Sequence, residues 1–109
     1  MSEVNDLINQ IISFRNDRDW AQFHNSKDLA IALNIEAGEL LELFLWKNSD
    51  EVNPEKIKEE LADVLIYAFL IAEKLNLNVK KIVEEKISQN EMKYPVEKSK
   101  GSSKKYNEL

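Results

Sequence analysis

The sequence predicts an all-α protein, a four-helix bundle completed by homo-oligomerisation. Three observations carry that prediction. Only two Gly and two Pro occur in 109 residues, and long helix formers dominate. Apolar residues recur at three- and four-residue spacing in four separate stretches. At 43% hydrophobic and 32% charged, the chain is rich enough in apolar residues to fold, and at this length it has room for one core.

The first helix is expected over Val4 to Asn16, with Leu7, Ile8, Ile11, Ile12 and Phe14 on its apolar face. The segment RNDRDWAQFHNS that follows is polar with interleaved aromatics and reads as a loop. The second helix begins near Lys27, with Asn25 or Ser26 as candidate N-cap, and runs to about Lys47. KNSDEVNP is a turn-rich break. Pro54 suits the first turn of a third helix, which reaches about Lys74. LNLN is a short connection. The fourth helix spans about Val79 to Lys93 and is stopped by Pro95. Residues 1–95 then form the helical domain and 96–109 a basic tail, whose ordinary fate is a solvated, frayed terminus.

Charge narrows the function. The net charge is −5, yet residues 96–109 hold four Lys and two Glu, so the remainder carries −7. An acidic body argues against broad nucleic-acid binding and favours a site that collects divalent cations. The basic tail is suited to meet a polyanion such as a nucleotide triphosphate. With no cysteine there is neither a disulfide framework nor a thiolate metal site. The polar start MSEVNDLINQ is unlike a targeting peptide, and the apolar run from Val64 to Ala72 is too short to cross a membrane. A soluble cytoplasmic protein is the expectation.

Two acidic pairs hold the chemistry: Glu36-x-x-Glu39 and Glu60-x-x-Asp63. Three residues along a helix place both members of a pair on one edge. From Leu61 to Ala72, Asp63 is the only charged residue, and a helix that is apolar all round is normally buried. A buried carboxylate needs a positive partner. On the second helix, Leu33, Ala37, Leu40 and Phe44 make the main stripe. Leu29, Ala32 and Leu43 flank it on the side of Glu36 and Glu39. Ile35, Leu41 and Leu45 make the other sides apolar too, which one small protomer has few ways to cover; hence the expected homo-oligomer. Gly38 costs about 1 kcal/mol against Ala in a helix interior, and close approach of another helix is the expected compensation. On the third helix, Glu60 shares a face with Ile57, Val64, Tyr67 and Ile71. Glu42 and Glu59 read as ordinary solvated charges.

Four carboxylates on two neighbouring helices offer only oxygen, and oxygen donors select hard cations such as Mg²⁺ or Mn²⁺. Di-iron bundles add Glu-x-x-His pairs, but the one histidine here, His24, sits in a loop. Clustered Mg²⁺ clamps phosphate chains and supplies a nucleophilic water, so hydrolysis of a phosphoanhydride follows. Ion pairing of the acids with Lys86 or Lys93 is the structural alternative.

Four ordered motifs then resemble one known family. RDWAQFH (18–24), EAGELLELFLWK (36–47), EELADVLIYA (59–68) and KISQNEMKYP (86–95) look like the MazG-like nucleotide pyrophosphohydrolases, an all-α superfamily that also holds the dCTP pyrophosphatases and dimeric dUTPases. The resemblance extends into the tail. It implies dimers or dimer-of-dimers tetramers, Mg²⁺ dependence, and cleavage of (d)NTP to monophosphate and pyrophosphate in nucleotide-pool house-cleaning. By motif it implies Glu36, Glu39, Glu60 and Asp63 as metal ligands, with Glu39 also orienting or deprotonating the attacking water. Lys86, Asn90 and Lys93 resemble the phosphate and sugar contacts, although a polar helix surface would look the same. Tyr67, one turn from Asp63, is a candidate sugar or phosphate contact or else a buried, satisfied tyrosine. Trp20 and Trp46 resemble the aromatics that enclose the base; Phe23 reads as core and His24 as a local hydrogen-bonder. The chain departs from the pattern after His24, where Asn25-Ser26-Lys27-Asp28 replaces the usual proline-containing segment. It departs again at Ile11, where the dCTP-preferring branch carries a histidine, so base preference stays open. A non-catalytic binding module of the same fold, or a hydrolase of another nucleotide phosphoanhydride, are the rival readings.

Overall fold

In the computed structural model, which describes residues 2–109, the chain forms helices and short 3₁₀ turns, with no strand among those residues. It divides into two compact units, one ending at Leu77 and one beginning at Asn78.

The first unit holds three long helices. Helix α1 spans Glu3–Asp17. The Ser2 hydroxyl caps it, accepting from the Asn5 N–H at 3.1 Å, and Glu3 and Asp6 complement the positive end of its dipole. Its last turn is anchored by Arg15, which is buried and donates to Glu73 of the third helix at 2.8 Å. The segment expected as a loop contains a 3₁₀ turn at Trp20–Phe23, entered through Asp19 in the left-handed conformation (φ 55°). Trp20 stacks edge-on against Phe14 at 5.8 Å, and the Arg18 guanidinium lies 3.7 Å over the Phe14 ring.

Helix α2 spans Ser26–Glu42, with Asn25 as N-cap accepting from the Asp28 N–H at 2.8 Å. It ends about five residues before the expected Lys47. Leu43, Phe44, Leu45 and Lys47 instead bond to carbonyls three residues back, and Trp46 turns left-handed at φ 63°. Tightening to 3₁₀ bonds satisfies the last carbonyls while the chain leaves the helix axis. Helix α3 spans Pro54–Lys74, the expected limits, because Asn53 caps it and Pro54 occupies its first turn. The pairing of α2 with α3 is the main packing of this unit, an αα-hairpin closed by the buried Val52 of the connection.

The core is small: Leu29, Val52, Leu70 and Ala72 are buried with Arg15. The sequence expects α3 to be buried all round, yet Leu61, Leu65 and Ile66 are exposed, as are Ile31, Ile35, Leu41 and Leu45 around α2. Three helices cannot cover every side of the two apolar ones. Gly38 tells the same story: no atom of another element comes within 4 Å of where a Cβ would stand, so the close approach expected there is not made within the chain.

The second unit begins with helix α4, Val79–Lys93, capped by Asn78 and ending at Tyr94, before Pro95. The tail is not frayed. A short helix α5 covers Val96–Ser99, Gly101 turns the chain at φ 78°, and a 3₁₀ turn covers Tyr106–Glu108. The Tyr106 ring returns to the end of α4, edge-on to Tyr94 at 6.2 Å and 5.0 Å from the Lys93 ammonium. Among the described residues, no helix is long and apolar enough to cross a membrane.

Candidate metal centre

The α2–α3 hairpin brings the two acidic pairs together. Glu36 lies seven residues before Leu43, which ends α2, and Glu60 seven residues after Asn53, which caps α3, so the two meet at one level of an antiparallel pair. One carboxylate oxygen from each of Glu36, Glu60 and Asp63 lies within 4.8 Å of the other two. Glu36 and Glu60 are half-buried, and each keeps one oxygen with no solvent exposure and no hydrogen-bond partner. Such orphaned acceptors are costly.

Nothing basic relieves them. The ion pairs among the described residues are Arg15–Glu73, Lys58–Glu55 and Lys80–Glu84, so none of the four acids has a lysine or arginine partner. Burial pushes the Glu36 carboxyl up to about 7, helped by its pairing with Glu39 and by the charges of Glu39, Asp63 and Glu60. Glu60 is raised too, first by burial, then by Glu39, Asp63 and Glu59. Glu39 itself is exposed and stands at the edge of the trio, near enough to perturb both neighbours. Glu59 is exposed, as expected of a solvated charge, although it adds to the field on Glu60.

A cluster that repels itself and ends in unpaired oxygens fits a cation. Its donors are all carboxylate oxygens, the set a hard divalent ion prefers. The observation that tests the fit is the pair of orphaned oxygens on Glu36 and Glu60: a cation between the helices would give both a partner.

The other sequence candidates fall in different places. Tyr67 is half-buried beside the acids; burial raises its hydroxyl pKa, and the charges of Glu36, Asp63 and Glu39 raise it further. Trp20 is part-exposed in its aromatic cluster, and Trp46 is 97% exposed. Lys86, Asn90 and Lys93 stand exposed on α4. Two expectations fail. Phe23, read as core, is exposed: it ends a 3₁₀ turn none of whose residues is buried. His24, read as a local hydrogen-bonder, has its Nδ1 buried without a partner. Burial, then Arg15 and Lys74, lower its pKa and keep it neutral. The contact of Tyr106 with Lys93 had no signal in the sequence beyond an aromatic among lysines.

An all-helical fold with an acidic, cation-ready cluster across an antiparallel hairpin defines the class of protein. The sequence pattern of the MazG-like family matches residues 31–109, and the chain belongs to that family. It is 40% identical over 104 residues to dCTP pyrophosphatase 1 of Rattus norvegicus and 39% identical to that of Homo sapiens. Each match covers 88% of this chain and 61% of the relative, so the chain spans about three-fifths of these relatives' length. The crystal structure of a pyrophosphatase from Archaeoglobus fulgidus superimposes with a TM-score of 0.81 at 35% identity, covering 87% of this chain and 94% of that one.

Proposed function

We propose that the chain is a nucleoside triphosphate pyrophosphohydrolase that cleaves (deoxy)nucleoside triphosphates to monophosphate and pyrophosphate. The observation that carries the reading is the convergence of Glu36, Glu60 and Asp63 within 4.8 Å, with two orphaned buried oxygens. The likeness to dCTP pyrophosphatase 1 and to a solved pyrophosphatase supports the same reaction class.

Glu36, Glu39, Glu60 and Asp63 would hold the metal, Mg²⁺ with Mn²⁺ as a substitute, which would supply charge neutralisation for phosphate and a more acidic water. Glu39, exposed at the edge of the trio, is the catalytic base that accepts a proton from a water attacking the α-phosphorus. The new oxygen–phosphorus bond forms as the bond from the α-phosphorus to the bridging oxygen breaks, and pyrophosphate leaves with that bridging oxygen. Tyr67 donates its hydroxyl to a phosphate or sugar oxygen; its raised pKa keeps the proton in place. Trp20 and Trp46 stack on the base, which stacking alone does not select. Lys86, Asn90 and Lys93 bind phosphate and sugar. Residues 1–95 form the enzyme domain, the working form is a homo-oligomer in the cytoplasm, and the role is clearing the nucleotide pool.

The deciding assay incubates the protein with a panel of dNTPs and Mg²⁺ and measures monophosphate and pyrophosphate. Turnover releasing pyrophosphate is expected, and Glu60→Gln or Asp63→Asn should abolish it without dissociating the oligomer. No turnover with any nucleotide leaves a non-catalytic module. Orthophosphate as product moves the cleavage to another phosphoanhydride.

A further inference from the structure

The lysines of the second unit are unevenly held. Lys80 pairs with Glu84 at 3.0 Å, but among the described residues Lys93 has no acidic partner. What it has is the face of Tyr106, whose ring centroid lies 5.0 Å from the ammonium. That distance is within the range of a cation–π contact, which restrains a flexible side chain without neutralising it. An ion pair would spend the charge locally, whereas an aromatic face leaves all three ammonium protons free to donate.

The route of the tail is built to deliver that ring. Tyr94 donates its N–H to the Asn90 carbonyl at 2.8 Å and ends α4, and Pro95 forbids further helix. Ser99 and Lys100 bond back to Pro95 and Val96, making one compact turn of helix. Gly101, at φ 78°, supplies a left-handed residue that a side chain adopts only with strain. The Ser102 hydroxyl accepts from the Lys104 N–H at 3.2 Å and fixes the next turn. Tyr106 then meets Tyr94 edge-on at 6.2 Å, so one neighbour locates the ring and the other is located by it.

We propose that Tyr106 is a positioning residue: the C-terminal segment folds back to hold Lys93 in one orientation for a phosphate of the nucleotide. This rests on the reading of Lys93 as a phosphate contact and adds to it the device that orders the lysine. The tail is thus part of the substrate-binding machinery and not an appendage to it. Tyr106 acts through Lys93, so the two residues are coupled, and its hydroxyl is not required.

The test is a double-mutant cycle on the full chain. Lys93→Ala should raise KM for the preferred dNTP with kcat little changed. Tyr106→Leu should raise KM roughly two- to fivefold, the size of a surface cation–π contact. Tyr106→Phe, which keeps the ring, should restore the wild-type KM. In the Lys93→Ala background, Tyr106→Leu should add nothing. Gly101→Val, which touches neither side chain but strains the turn, should reproduce the Tyr106→Leu effect. The same cycle read as the dissociation constant of an α,β-imido dNTP remains valid if turnover is slow. Wild type that neither turns over dNTPs nor binds the analogue removes the underlying function and this proposal with it. If wild type is active but Lys93→Ala leaves KM unchanged, only the role of Lys93 and its latch falls. Additive effects of Lys93→Ala and Tyr106→Leu, or failure of Tyr106→Phe to rescue, overturn the positioning role while leaving the enzyme reading intact.

Discussion

Without metal, the acidic cluster should make the protein less stable as pH rises, the reverse of ordinary acid denaturation. Glu36 takes up its proton with a pKa of about 7 when folded, against 4.5 for an unperturbed glutamate. Between those values the folded chain holds a proton that the unfolded chain has lost. Its contribution is therefore complete below pH 4.5 and gone once the pH passes 7. For a fully desolvated group that gap corresponds to roughly 3 kcal/mol. Glu36 is only half-buried, so screening by water reduces the figure to about 1–2 kcal/mol. Glu60 is shifted in the same direction and adds to the trend. For a domain of this size the loss corresponds to a fall in melting temperature on the order of 5–10 °C. The assay is thermal unfolding in chelator from pH 5 to pH 8, for wild type and Glu36→Gln. The amide mimics the protonated acid, so the variant should lose most of the slope and melt higher than wild type at pH 8. Divalent metal should reverse the wild-type slope, because it needs the deprotonated ligands. A flat wild-type profile in chelator, or a slope that survives Glu36→Gln, would refute the argument that these carboxylates crowd one another.

Three further perturbations probe the frame and the periphery of the site. Glu73→Ala strands the buried Arg15 charge; with Glu73 itself 31% exposed, the loss should be about 2–3 kcal/mol in urea unfolding, and a change below about 0.5 kcal/mol would show that the pair does not tie α1 to α3. Gly38→Ala should stabilise a lone protomer by about 1 kcal/mol, since nothing in the chain opposes the new methyl; if a second copy packs there, sedimentation should show weakened association instead. Trp46→Gly removes a left-handed, fully solvated tryptophan, so the unfolding free energy should hold or rise by up to about 1 kcal/mol, while KM for dNTP climbs roughly tenfold if the ring stacks on the base. An unchanged KM would remove Trp46 from the base site.

What the sequence determined by itself was local. Asn53 with Pro54, and Asn78 with Pro95, set the limits of α3 and α4, because caps and prolines act within one turn. The two acidic pairs were legible for the same reason: helical period places their members on one edge, and apolar neighbours mark Glu36 and Glu60 as poorly solvated. Tertiary structure decided the rest. Where α2 stops depends on how its end must turn to reach α3, which no residue near Leu43 announces. Whether Phe23 is inside depends on what packs against its 3₁₀ turn, and His24 is held neutral first by burial and then by the charges of Arg15 and Lys74. Most of all, two separate acidic edges became one cluster only when the hairpin set α2 and α3 in register. Burial between the paired helices, with the added charges of Glu39, Asp63 and Glu60, raises the Glu36 carboxyl, and the same packing leaves two buried oxygens without partners.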